Sequence, residues 1–124
     1  WATYCTRRES SSSRNPSDKA FGDGGGPKFF FRWYDWWPGA GRSLKLCANV
    51  WISVNYGNGK LAIADVNHVI VSGSEITTSV ESSTNIQESS TFSLVNNADY
   101  WLESYTWGGD APQLACNWAW LVLT

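Results

Sequence analysis

The chain has 124 residues, room for one domain with a core of its own, and a formal net charge of -2. With 43% hydrophobic and 15% aromatic residues, nine Trp, no Met and only 16% charged residues, it is neither a disordered chain nor a coiled coil. No run of Lys or Arg accompanies the aromatic residues, which removes the electrostatic footprint of nucleic-acid binding, and no apolar segment nears the ~18 residues of a membrane helix.

Along the chain, residues 1–28 read as a polar arm, because Ser10-Ser11-Ser12-Ser13, Asn15-Pro16-Ser17 and Gly24-Gly25-Gly26 leave too few apolar residues to anchor regular structure. The rest, 29–124, reads as one all-β domain. Phe29 to Trp37 is an aromatic strand closed by Pro38-Gly39. From Ser43 the pattern alternates strictly: Leu44, Leu46, Ala48, Val50, Ile52 and Val54 share one face, and Lys45, Cys47, Asn49, Trp51 and Ser53 the other. Gly57-Asn58-Gly59 predicts a tight hairpin there, with Leu61 and Ile63 returning on the partner strand. Val66–Val71, Ile76–Val80, Thr91–Val95, Tyr100–Trp107 and Leu114–Leu123 complete a strand set spaced for an antiparallel β-sandwich or jelly roll rather than for βαβ units. The Ser, Thr and Asn between Val80 and Ser90 argue for loop or strand against helix.

Little in this sequence announces chemistry. The triple glycine lacks the following Lys-Ser/Thr of a phosphate loop, and Cys5, Cys47 and Cys116 include no C-x-x-C pair, so neither a cofactor nor a metal is expected. Three cysteines allow one disulfide. A chain that opens at Trp1 is expected to be a mature product exported to an extracellular compartment. His68, the single histidine, lies in an apolar run with no nucleophile motif around it and reads as a packed or surface strand residue. Asp99 and Glu103 stand four residues apart on one strand face, about 13 Å, roughly twice the reach of two cooperating carboxylates. They read as members of a solvated face. The Trp-rich strands carry more information: alternation cannot bury every ring, so some aromatic surface must meet a ligand or a neighbour. Trp33, Tyr34, Trp36, Trp37, Trp101 and Trp107 are the candidate binding residues.

Two motifs in order carry a family resemblance. Trp33-Tyr34-Asp35-Trp36-Trp37-Pro38 resembles the W-Y-E-x-Y-P strand of the glutamic peptidases (eqolisins), and Asn97-Ala98-Asp99-Tyr100-Trp101-Leu102-Glu103 resembles their A-E-W-[IV]-[VI]-E strand. Ile52 to Leu61 is similar to a hairpin placed between them in bacterial members. The resemblance covers about Phe29 to Thr124 and implies a two-sheet, concanavalin A-like sandwich. It also implies a catalytic Gln and Glu. The Glu falls on Asp99, one methylene shorter, but residues 1–32 hold no Gln; Gln87 and Gln113 are the two in the chain. Within the resembling region both Cys47 and Cys116 belong to β-rich segments, whereas Cys5 precedes the arm, so Cys47–Cys116 is the expected disulfide.

The reading favoured by these residues is a secreted, non-catalytic β-sandwich on the glutamic-peptidase framework that binds or self-assembles. Its contact would be the Trp33–Trp37 strand or the Asn117–Thr124 strand, and its partner a second copy, another β chain, a peptide or a carbohydrate. The alternative is a divergent acid endopeptidase with Asp99 in the family Glu position and an amide from elsewhere. A third reading is a carbohydrate-binding module using exposed Trp faces.

Overall fold

The computed structural model describes residues 3–12, 28–34, 43–109 and 112–124. They form eight strands: β1 (Thr3–Ser12), β2 (Lys28–Trp33), β3 (Leu44–Val54), β4 (Asn58–Asp65), β5 (Ile76–Thr78), β6 (Ile86–Glu88), β7 (Ala98–Trp107) and β8 (Gln113–Leu123). No helix among the described residues is long and apolar enough to cross a membrane. The strands lie in two sheets, β1-β8-β3-β6 and β2-β7-β4-β5, and every pairing is antiparallel. First pairs with last: β1 with β8, β2 with β7, β3 with β6, β4 with β5, and the β8–β3 and β7–β4 pairs join these into sheets. Eight strands nested in this way are a jelly-roll sandwich.

The core lies between the sheets. Leu44, Leu46, Ala48, Val50 and Ile52 of β3 and Leu114, Cys116, Ala119 and Leu121 of β8 face Leu61 and Ile63 of β4, Tyr100 and Leu102 of β7, and Phe31 and Trp33 of β2. The alternation expected for β3 is therefore the observed one. In β8 it is interrupted, because Val50 pairs with Cys116 while Asn49 pairs with Trp118, leaving Asn117 as an extra, bulged residue. The bulge keeps Ala119 and Leu121 in the core and turns Trp118 and Trp120 outward.

Four expectations are corrected. Thr3–Ser12, inside the stretch read as an arm, is strand β1, held by β8 along its length; residues 13–27 lie outside the described set, as does the Pro38-Gly39 turn. β3 and β4 are not a hairpin but consecutive strands in opposite sheets. The chain arches across the sandwich through Asn55 (φ 61°) and Gly57 (φ 150°), so their side chains, not their backbones, face each other. Alternation is the same for a strand in either arrangement, which is why it misled. Val66–Val71 is mostly turn rather than strand, keeping one bridge between Ala64 and Ile70. Cys47 and Cys116 are free thiols. Cys47 faces outward on β3 and Cys116 faces the core on β8, and side chains on opposite faces of a sheet cannot be bridged. Burial pushes the Cys116 thiol up to about 12, and burial with the nearby Glu88 also raises Cys47.

Gly59 matters for space, not for a turn. It points inward from β4, where a Cβ would meet Leu114 Cδ1 at 2.6 Å and Ile52 Cδ1 at 3.1 Å, both from the opposite sheet. Gly59→Val is expected to cost about 1–3 kcal/mol by overpacking. Thermal unfolding would read this as a lowered Tm, and an unchanged Tm would mean that the two sheets do not meet at this point.

Candidate functional site

β7 is hydrogen-bonded on both edges, to β2 and to β4, so its side chains can point only into the core or out of the sandwich. Tyr100, Leu102, Ser104 and Thr106 point in and are buried. Asp99, Trp101, Glu103, Tyr105 and Trp107 form the outward column, and the neighbouring strands extend it row by row. Arg32 lies opposite Asp99, Phe30 and Ala64 flank Trp101, Ala62 faces Glu103, Lys60 faces Tyr105 and Asn58 faces Trp107.

At one end, Arg32 Nε donates to Asp99 Oδ1 at 2.7 Å and Nη2 donates to Oδ2 at 3.0 Å, a bidentate pair. The hydrogen bond from Arg32 holds the Asp99 carboxyl below the usual carboxylate range, against the weaker upward pull of burial. Next along the column, the Phe30 ring packs 4.5 Å from Trp101, and the His68 ring stacks on Trp101 at 5.9 Å with 18° between planes. His68 Nδ1 also makes a short contact with Glu103 Oε1, and Glu103 is 0% exposed. At the far end the Lys60 ammonium lies 5.8 Å from the Tyr105 ring and 5.7 Å from the Trp107 ring.

His68 reaches this face because β4 ends in a tight turn. Asp65 Oδ1 accepts from Asn67 N at 2.8 Å and Val69 N at 3.0 Å, His68 N donates to Asp65 O at 2.9 Å, and His68 takes φ 63°. An aspartate that captures backbone N–H groups two and four residues on competes with strand extension. Ala62 and Ala64, the small residues beside the column, are fully buried.

The candidate residues named from sequence fall in different places. Trp33 is 3% exposed and belongs to the core, so it has no face to offer a ligand; its inward position follows from its pairing with Ala98. Tyr34, just past β2, is 47% exposed. Trp36 and Trp37 lie outside the described residues. Trp101 and Trp107 are half-buried on the outward column. Asp99, where the resemblance would put a catalytic Glu, is engaged with Arg32, while Gln87 and Gln113 belong to the other sheet, in β6 and β8. The solvated face expected for Asp99 and Glu103 is not one, because Glu103 is buried against His68. Phe30, Lys60, His68 and Tyr105 were missed. The Asp65-x-Asn67 turn signal could have drawn attention to His68; nothing local marks the others. No group of three or more metal-ligating side chains occurs among the described residues.

The outer face of the first sheet also carries tryptophans, Trp51, Trp118 and the 40% exposed Trp120. β8 is bonded to β1 and β3, so the C-terminal strand presents a face but no free edge for pairing with another chain; β2 does lie at a sheet edge.

No family model matches this sequence, and no curated protein does. Among solved structures, the C-terminal CBM6 of LamC, a marine laminarinase from Zobellia galactanivorans, is 14% identical over 98% of this chain and 99% of that one, with a TM-score of 0.48. The xylan-binding module CBM15 is 9% identical over 99% and 98%, with a TM-score of 0.48. A family two carbohydrate esterase from Cellvibrio japonicus is 11% identical over 99% of this chain and 35% of that chain, with a TM-score of 0.37. All three TM-scores lie below 0.5, so what this chain binds has to be read from its own residues.

Because the folded Asp99 value is depressed, the stabilisation from its pair with Arg32 is present above the ordinary aspartate value of about 3.9 and is lost as pH falls through the folded value. Carboxyl NMR titration should place the Asp99 midpoint below that of an unpaired aspartate, and Arg32→Gln should move it up. An unshifted Asp99 in the wild-type chain would mean that the pair does not form in solution.

Proposed function

We propose that this chain is a non-catalytic β-sandwich module that binds carbohydrate across the outer face of the β2-β7-β4-β5 sheet. The observation that carries the reading is the column on β7. Trp101 and Trp107, both half-buried, stand on one side of a single strand over about 20 Å, with the 7% exposed Tyr105 between them. The 47% exposed Phe30 and Tyr34 extend the aromatic surface at the β2 edge. One face of a sugar ring is lined by C–H groups and suits an aromatic plane; its rim of hydroxyls needs donors and acceptors, since an unpaired polar group taken from water is costly. Asp99, His68 and Arg32, which keep exposed surface, supply both kinds. Phe30 and His68 pack against Trp101 before any ligand arrives, so its ring is ordered in advance.

The acid-endopeptidase alternative draws no support from the geometry. Its carboxylate is tied to Arg32, and neither glutamine shares a sheet with it.

Affinity electrophoresis in gels containing a panel of soluble polysaccharides would test the reading, with digestion of denatured protein at acid pH run in parallel. Retardation by at least one polysaccharide is expected, with Trp107→Ala and Phe30→Ala each weakening it about tenfold or more as central aromatic contacts are lost. Unretarded migration across the whole panel would sink the proposal, and acid release of peptides would favour the peptidase instead.

A further inference from the structure

The charges on this face are unevenly used. Arg32 and Asp99 neutralise each other, and His68 and Glu103 bind each other, both as side-chain pairs. Lys60 lies against rings instead, 5.7 Å from the centroid of Trp107 and 5.8 Å from that of Tyr105, and no carboxylate among the described residues pairs with it. Its neighbours across the strands are Tyr105 and Thr77, and Asn58 precedes it on its own face of β4. Of the acidic side chains diagonal to it, Glu103 on β7 is turned to His68, and Glu75, just before β5, accepts from Gly73 N at 3.2 Å.

A lysine on an open sheet normally extends its ammonium into water. Here the ammonium is held beside two aromatic rings, where it is partly desolvated but keeps N–H donors for a further acceptor. Both Lys60 and Trp107 stay half-buried, so a ligand can reach them together. An ammonium with no carboxylate partner among the described residues, beside a half-buried indole, matches a sugar ring that carries a negative substituent: the ring packs on the aromatic surface and the anion meets the ammonium.

We propose that the Lys60–Tyr105–Trp107 end of the face is a subsite for an acidic sugar, one bearing a carboxylate or a sulfate. The inference rests on the carbohydrate-binding reading and deepens it by naming the ligand class. Lys60 supplies the discrimination between charged and uncharged forms of the same chain.

The test compares matched polymers that differ only in charge: polygalacturonate with its fully methyl-esterified form, and sulfated galactan with its desulfated form, alongside neutral xylan. The wild-type chain is expected to bind the charged member of at least one pair about tenfold more tightly than the neutral member, as a charge-assisted hydrogen bond allows. Preference within the carboxylate pair or within the sulfate pair identifies which anion is taken. Lys60→Gln should bring that ratio close to one, and Lys60→Arg, which keeps the charge, should retain most of it. The preference should also shrink as salt rises. Equal binding of charged and neutral partners, a preference that Lys60→Gln leaves intact, or binding of xylan alone would overturn the subsite while leaving carbohydrate binding in place. Failure to bind any of the five polymers or any of the wider panel would instead remove the reading on which the subsite stands.

Discussion

The arrangement of this molecule depends on β7 being hydrogen-bonded along both edges, by β2 on one side and β4 on the other. A strand held in this way cannot rotate, so each residue from Ala98 to Trp107 is assigned to one of two faces. Tyr100 and Leu102 close the core against the opposite sheet, and the residues between them must then point outward whatever their chemistry. The column of Trp101, Glu103, Tyr105 and Trp107 is the other half of that constraint. Its regular spacing comes from the pleat and needs no separate device.

The outward column is covered at its centre by the turn after β4. The Asp65 carboxylate takes two backbone N–H groups and folds the chain back so that Val71 N donates to Ile63 O at 2.8 Å. Ser74 secures the return: its hydroxyl donates to Val71 O at 2.7 Å and accepts from Ile63 N at 3.1 Å. His68 is thereby carried over the sheet to Trp101 and Glu103. A carboxylate withdrawn from water is strongly disfavoured unless it is hydrogen-bonded, so the burial of Glu103 and the placement of His68 are one arrangement rather than two.

The opposite sheet is built with similar economy. The β3 edge is only briefly covered by β6, and residues 80–85 complete it. Asn85 N donates to Asn49 Oδ1 at 2.7 Å, Asn49 Nδ2 to Ser83 O at 2.9 Å and Asn85 Nδ2 to Val50 O at 2.8 Å. Asn49 faces outward from the sheet yet is 5% exposed, because this segment lies over it. An edge closed by side-chain amides leaves few backbone groups for another chain to capture.

The amino-acid sequence by itself determined the strand content and the inner and outer faces of most strands, because period-two alternation is a local property. Leu44 through Ile52 show this in β3, and β7 shows it as soon as Tyr100 and Leu102 are taken as core. The sequence also required that some aromatic surface remain outside the core, though not which. Which strand lies beside which was decided by the tertiary structure. Alternation around Gly57-Asn58-Gly59 is the same for a hairpin and for an arch between sheets, and only the nesting of β1 with β8 through β4 with β5 selects the arch. The bulge at Asn117 is equally invisible locally, yet it sets the face of Trp118 and Trp120. His68 and Glu103 are 35 residues apart in the chain, and Lys60 and Tyr105 meet across two strands of one sheet. A contact of that separation has no signature in either local segment, because it exists only once the β4–β7 register is set.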